Sequence, residues 1–200
     1  MQVQLIKEPF EYIQIDDTYT EDELRLIFLE LDFWSISGNL MPPDRTGSAQ
    51  WSEGFKKQNR GIFLDDAYAD RISSNILKLN RKIFKAEINI PSVILNYLKS
   101  SNHDSTLVSY YENSDHYKPH KDESILTSLT YLYKQPKFFS GGELVATEYN
   151  LVLEPVFNRT YIIPSVVQHE VRSVVMSEQD IGKGFGRYCI SGFIDKIQRD

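Results

Sequence analysis

Near Ser105 the hydrophobic period of this chain changes from helical to alternating, and that change restricts the folds open to it. Upstream, Leu24, Ile27, Phe28 and Leu31 form one stripe at helical spacing, and Ile72, Ile76, Leu79 and Ile83 form a second. Thr20-Glu21-Asp22-Glu23 precedes the first stripe in a capping-box pattern, with Thr20 placed to cap and Glu23 to reach back. Asp65-Asp66 opens the second helix, which is expected to end near Lys85. Pro91-Ser92 starts a further short one carrying Val93, Ile94, Tyr97 and Leu98. The polar stretch from Ser37 to Asn59, with Pro42-Pro43 and several glycines, reads as a long loop with short strands. Downstream, alternation predicts strands over residues 107–111, 125–133, 144–148, 161–163, 168–174 and 187–194. Helices followed by strands imply an α+β, mainly β, chain whose N-terminal helices buttress one sheet. Many short strands separated by turns favour a double-sheet jelly roll.

A chain of 200 residues, 41% hydrophobic and 12% aromatic, suffices for a single domain. Its helical support would occupy about residues 1–100 and its jelly-roll core about 105–195. The formal net charge of −6 disfavours a nucleic-acid footprint, which needs a basic stripe. Lys78, Arg81, Lys82 and Lys85 cluster, but read as the solvated face of a helix. The start, Met1-Gln2-Val3-Gln4, lacks the pattern of a signal peptide, and no apolar run is long enough to span a bilayer. A cytoplasmic protein with no membrane or nucleic-acid partner is expected, and nothing in the sequence sets its oligomeric state. The single cysteine, Cys189, suits a reducing compartment and is expected in the core.

The chemistry concentrates after Ser105. In His120-Lys121-Asp122 the two outer side chains would face one point from an extended strand, and His169 on another strand could complete a three-ligand face. Two histidines and one carboxylate leave open positions on one side of a metal, the arrangement of non-haem Fe(II) oxygenases. Arg187 shares a strand face with Ser191, and arginine grips a carboxylate through two parallel hydrogen bonds, so a dicarboxylate ligand is implied.

At this point the chain resembles the Fe(II)/2-oxoglutarate dioxygenases, most closely their prolyl 4-hydroxylase-like branch, over about Ser105 to Ile194. The resemblance is carried by Tyr111-Glu112-Asn113, Tyr117-Lys118-Pro119-His120-Lys121-Asp122 and Thr127-Ser128-Leu129-Thr130-Tyr131-Leu132. It continues through Ser140-Gly141-Gly142-Glu143-Leu144, Ile163-Pro164-Ser165, His169-Glu170-Val171 and the Arg187 strand. It implies a double-stranded β-helix, with His120, Asp122 and His169 as catalytic metal ligands. Arg187, Tyr131 and Ser191 would hold the distal carboxylate of 2-oxoglutarate. Tyr111 would line the co-substrate pocket, with its neighbour Tyr110 as the alternative. Fe(II), 2-oxoglutarate and O2 are implied, with ascorbate a further candidate. The implied reaction is hydroxylation of a C–H bond, with a prolyl or other peptidyl residue as first substrate, coupled to decarboxylation of 2-oxoglutarate to succinate and CO2. The alternatives are a same-superfamily oxygenase acting on a small molecule or nucleic acid, and a non-catalytic jelly-roll binding module. Nucleic-acid demethylases repeat an arginine six residues after the anchoring one, where this chain has Phe193.

The chain departs from the family in a longer segment, Arg172 to Gly186. It makes Arg172 a competing basic residue and suggests a mobile, glycine-rich tip over 174–186 at the mouth of the barrel. Gly141-Gly142 reads as a tight turn needing positive φ. His103 and His116 do not fit the ligand spacing and are expected on exposed loops.

Overall fold

The computed structural model describes residues 1–47, 50–51, 54–85 and 91–197. Part of the polar stretch expected as a loop between Ser37 and Asn59 lies outside those residues. The strands are β1 (Gln2–Ile6), β2 (Tyr12–Asp16), β3 (Gln50–Trp51), β4 (Gly54–Phe55), β5 (Arg60–Phe63), β6 (His103–Tyr111), β7 (Tyr117–His120), β8 (Leu126–Leu132), β9 (Phe139–Gly141) and β10 (Leu144–Ala146). They continue with β11 (Leu151–Leu153), β12 (Arg159–Pro164), β13 (His169–Val171), β14 (Val174–Met176) and β15 (Arg187–Asp195). An antiparallel seven-stranded sheet runs in the order β1-β2-β12-β8-β15-β6-β5, and a four-stranded one in the order β11-β10-β13-β7. The jelly-roll expectation holds, and β7 is the extended strand expected at His120, although β1, β2, β5, β9 and β11 were not predicted. The strand expected over 168–174 divides: β13 belongs to the four-stranded sheet, whereas β14 pairs with β9.

The first helix, α1 (Glu21–Ser35), starts as its sequence dictates. Glu23 donates its N–H to the Thr20 hydroxyl at 3.3 Å, while the Glu23 carboxylate accepts from the Thr20 N–H at 2.8 Å. The second expected helix is broken into α2 (Leu64–Ala67), a 3-10 turn at Arg71–Ser73, α3 (Asn75–Asn80) and another 3-10 turn at Arg81–Lys85. Short polar side chains cause the breaks by taking backbone donors for themselves. Asp70 accepts from the Ser73 N–H and Ser74 caps α3 through the Leu77 N–H. Asp65 is recruited by the Thr106 N–H of β6 and by Arg71. Ile76 and Ile83 are buried as expected, but Ile72 is 76% exposed because it sits on the intervening turn. A fourth helix, α4 (Val93–Ser100), is capped by Ser92. It buries Ile94, Leu95 and Leu98 and leaves Val93 and Tyr97 outward. Of the basic cluster, Arg81 pairs with buried Asp104 and Lys82 with Glu23. Among the described residues, no helix is long and apolar enough to cross a membrane.

Alternation along β6, β8 and β15 divides their side chains between two cores. Val108, Tyr110, Leu132, Tyr188 and Ile190 pack with Ile27 and Leu31 of α1 and Ile76 and Leu77 of α3, so these helices buttress the large sheet. Tyr111, Leu129, Tyr131 and Cys189 face the opposite way, toward Leu144 and Val171 of the second sheet.

Glu30 ties α1 to α3 inside the first core: it accepts from the Ser74 hydroxyl at 2.6 Å and from the Ile76 N–H at 3.0 Å. Glu30→Ala strands both buried donors. It should lower unfolding stability by roughly 2–3 kcal/mol, read as a lower urea midpoint at unchanged m-value. A loss below about 0.5 kcal/mol would show that this link carries nothing.

Candidate metal centre and co-substrate pocket

His120 ends β7 and His169 begins β13, and the two residues face each other directly across the antiparallel pair. Their imidazoles therefore leave one sheet side by side, with ring centroids 4.4 Å apart. Each Nδ1 lies 2.9 Å from a main-chain oxygen, that of Lys118 for His120 and that of Val167 for His169. A carbonyl can only accept, so each Nδ1 carries the proton and each Nε2 keeps its lone pair for another partner. Burial pushes the His120 pKa down to about 3, and neighbouring His169 adds to the shift, so the ring stays neutral as a metal ligand must be.

Asp122 lies just beyond β7 and not on an extended strand, as its spacing had suggested. It reaches the histidines because its N–H donates to the Ser165 oxygen at 3.1 Å, bending the chain toward the end of β12. Its Oδ1 lies 3.7 Å from His120 Nε2 and its Oδ2 3.6 Å from His169 Nε2. These separations are too long for hydrogen bonds, but ligands about 2 Å from a shared ion stand about 3–4 Å from one another. All three ligand atoms lie within 4.8 Å of each other. Thr127 donates to Asp122 Oδ2 at 2.6 Å, and Ser165 in turn contacts the Thr127 hydroxyl at 2.8 Å. Outer hydrogen bonds of this kind fix a ligating carboxylate. Tyr117 stacks on His120 with centroids 3.5 Å apart.

The cavity lined by the triad runs inward to Arg187, and Tyr111, Leu129 and Ser191 line it as well. Arg187 opens β15 opposite Tyr111 and is only 1% exposed. Its guanidinium lies 4.5 Å from the centroid of the Tyr111 ring and 4.7 Å from that of Tyr131. Arg187 Nε and Nη1 and the Tyr131 hydroxyl are buried with no hydrogen-bond partner among the described residues. Burying such donors unmet is costly, so the pocket is built for an acceptor, and its charge asks for an anion. Gly142 makes room for this arginine. With φ at +75°, its absent Cβ would stand 2.7 Å from Arg187 Cδ and 3.0 Å from Val174 Cγ2. The glycine turn foreseen from Gly141-Gly142 thus bears on the pocket directly.

Tyr111 faces the cavity, while Tyr110 points to the other core and hydrogen-bonds Glu112 at 2.9 Å. Cys189 lies on the cavity wall, where burial pushes its thiol pKa up. Arg172 is exposed and lines no part of this cavity. His103 is exposed but begins β6 instead of lying on a loop, and His116, in the loop after the turn at 113–114, is half-buried instead of exposed; neither joins the triad.

A second cavity, of about 720 Å³, opens outward from the triad between Thr46, Phe63, Glu123, Phe193 and Asp195. The mouth is therefore at the Phe193–Asp195 end of β15. The segment 174–186 lies at the Arg187 end, which overturns its expected place at the mouth. It is also pinned: Gly182 N–H donates to Glu112 at 2.6 Å and Gly186 N–H to the Tyr110 hydroxyl at 3.1 Å, while the Gly184 oxygen accepts from Tyr188 at 3.2 Å.

Sequence reasoning passed over Lys57 altogether. Its Nζ donates to the Thr46 oxygen at 2.6 Å and stands 5.6 Å from the Tyr117 ring centroid. Burial pulls its pKa down to about 8 against the opposing charge of Asp122. Only the residue type could have marked it, since it sits in the polar stretch and reaches the site through an isolated bridge to Tyr117.

Residues 106–195 match the family model of the 2OG-Fe(II) oxygenase superfamily. No curated protein matches the chain in sequence. Among solved structures, a Pseudomonas putida prolyl-4-hydroxylase is 17% identical with a TM-score of 0.59, covering 94% of this chain and 93% of that one. A Trichoplax adhaerens prolyl hydroxylase, in complex with a hypoxia inducible factor oxygen degradation domain peptide fragment, is 14% identical with a TM-score of 0.63, covering 92% and 83%. The viral collagen prolyl hydroxylase of Paramecium Bursaria Chlorella virus-1, solved with 2OG, is 12% identical with a TM-score of 0.55, covering 93% and 96%. At these identities the likeness is one of fold.

If the triad holds the ion, replacing His120, Asp122 or His169 by Ala should weaken Mn(II) binding, used as a redox-inert probe, by at least about tenfold, the lower end of what even outer partners cost. Far-UV circular dichroism serves as the folding control. Unchanged Mn(II) affinity in all three folded variants would place the metal elsewhere.

Proposed function

We propose, on the premise that residues 106–195 belong to the 2OG-Fe(II) oxygenase superfamily, that this chain is a dioxygenase hydroxylating a C–H bond of a prolyl or other peptidyl residue. The superfamily implies Fe(II), 2-oxoglutarate and O2. Here His120, Asp122 and His169 would hold the iron. Arg187 and Tyr131 would take the distal carboxylate, with Tyr111, opposite Arg187, completing that end; Ser191, expected there too, lies four residues or about 13 Å further along β15, nearer the mouth. One observation carries the reading: three metal-type donors stand at one end of a cavity, and a buried guanidinium with unmatched donors, flanked by the rings of Tyr111 and Tyr131, stands at the other. A dicarboxylate with a 2-oxo group is a ligand that would satisfy both.

Bound iron supplies the redox chemistry, by which one oxygen atom of O2 enters the substrate C–H bond and the other enters succinate as CO2 leaves. The protein's part is positioning. The two Nδ1–H···O bonds fix the imidazoles, and Thr127 fixes the carboxylate. Burial keeps the Tyr131 hydroxyl protonated, so it can donate to a carboxylate beside Arg187. Apolar Leu129, Leu144 and Val171 wall the inner cavity and limit water there. A peptidyl substrate is favoured by the fold shared with prolyl hydroxylases, one of them solved with a peptide fragment, and by the open cavity beside the triad.

Arg187→Ala should raise the KM for 2-oxoglutarate by about 30-fold or more, the equivalent of about 2–5 kcal/mol for truncating a buried charged pair. Mn(II) affinity should change far less, and Arg172→Ala should have little effect on either. A larger effect from Arg172 would show the anchor to be misassigned. For the substrate, mass spectrometry of prolyl peptides incubated with enzyme, Fe(II) and 2-oxoglutarate should show a gain of one oxygen matched by succinate. Succinate formation without a modified peptide across a broad set would redirect the search to small molecules.

A further inference from the structure

We propose that Lys57 is a substrate-binding residue whose ammonium donates a hydrogen bond to a backbone carbonyl of the peptide being hydroxylated, next to the target residue. The inference rests on the peptidyl-hydroxylase reading above. Lys57 is 2% exposed and lines both the inner cavity at the triad and the outer one at the mouth, so it marks the junction through which a substrate must reach the metal.

A lysine ammonium has three donors and no acceptor. Among the described residues one donor is met, by the Thr46 oxygen at 2.6 Å, and the Tyr117 ring lies beneath the charge at 5.6 Å. That ring stacks on His120, which places Lys57 next to the ligand face and not behind it. The nearby carboxylate of Asp122 is committed to Thr127 and to the ligand face. A buried ammonium keeps its place only where further acceptors reach it. A neutral carbonyl fits better than a second carboxylate, because Asp122 lines the same two cavities and would repel an anion. The pair Phe63 and Phe193, with ring centroids 6.1 Å apart on the outer wall, offers the apolar surface that a prolyl ring beside that carbonyl would need.

The test uses N-acetylprolinamide, a small compound with a prolyl ring between two carbonyls, and the full chain loaded with Mn(II) and 2-oxoglutarate. Paramagnetic broadening of the probe's proton signals reports binding near the metal whether or not turnover follows. Bound metal is counted in every sample, and circular dichroism checks the fold. Wild type should broaden the signals, Lys57→Met should reduce the effect at least fivefold at equal bound Mn(II), and Lys57→Arg should retain most of it. Equal broadening in wild type and Lys57→Met overturns the assignment, as does no broadening in wild type. A loss in Lys57→Met that Lys57→Arg does not recover would show that the side chain acts through local packing, and would overturn it too. Should wild type bind the probe through Lys57 yet hydroxylate no peptide, the peptidyl-hydroxylase reading fails while the Lys57 contact stands.

Discussion

A buried guanidinium that pairs with no carboxylate among the described residues governs the interior of this protein. Arg187 is 1% exposed at the start of the long strand β15, between the rings of Tyr111 and Tyr131, and two of its nitrogens have no partner among the described residues. Isolated charges in a protein interior are strongly unfavourable, and aromatic faces return only part of the lost hydration. The surrounding strands accept that penalty together. The β6 and β8 ladders hold β15 along its length, and Gly142 gives up its side chain so that the arginine can lie where it does. A site with unmet buried donors is one that a complementary ligand would stabilise.

The second sheet answers at the other end of the same cavity. Register opposes His120 to His169, main-chain carbonyls set both tautomers, and a hydroxyl chain through Thr127 and Ser165 aims Asp122. The two ends are attached to different sheets, so the distance between them is fixed by sheet-on-sheet packing of Leu129, Tyr131, Leu144 and Val171. Fold and chemistry meet in that packing: the helices α1 and α3 brace the far side of the large sheet and keep it from bending away.

Much of the candidate site was legible because its chemistry lies in residue types at fixed spacing. Two histidines, one carboxylate and an arginine suffice to name candidates, and alternation alone puts Thr127, Leu129 and Tyr131 on one face. Other features are properties of tertiary structure. The helix expected after Asp65 breaks because Asp65, Asp70 and Ser74 take backbone donors, some of them from another element, and Ile72 is exposed as a result. The segment 174–186 was expected at the mouth because sequence does not say which end of β15 faces the opening; hydrogen bonds to Glu112, Tyr110 and Tyr188 hold it at the opposite end. Lys57 was invisible for the same reason, since its approach to the metal face depends on one bridge between distant segments.

On the proposed reading, the triad and the Arg187 pocket grip the two ends of one molecule. Calorimetric titration of 2-oxoglutarate into the protein, with and without saturating Mn(II), tests it most directly. Mn(II) should tighten 2-oxoglutarate binding by about 5–150-fold, and 2-oxoglutarate should tighten Mn(II) binding by the same factor, as linkage requires. Equal affinities with and without the metal would mean that the two ends bind independently and share no ligand.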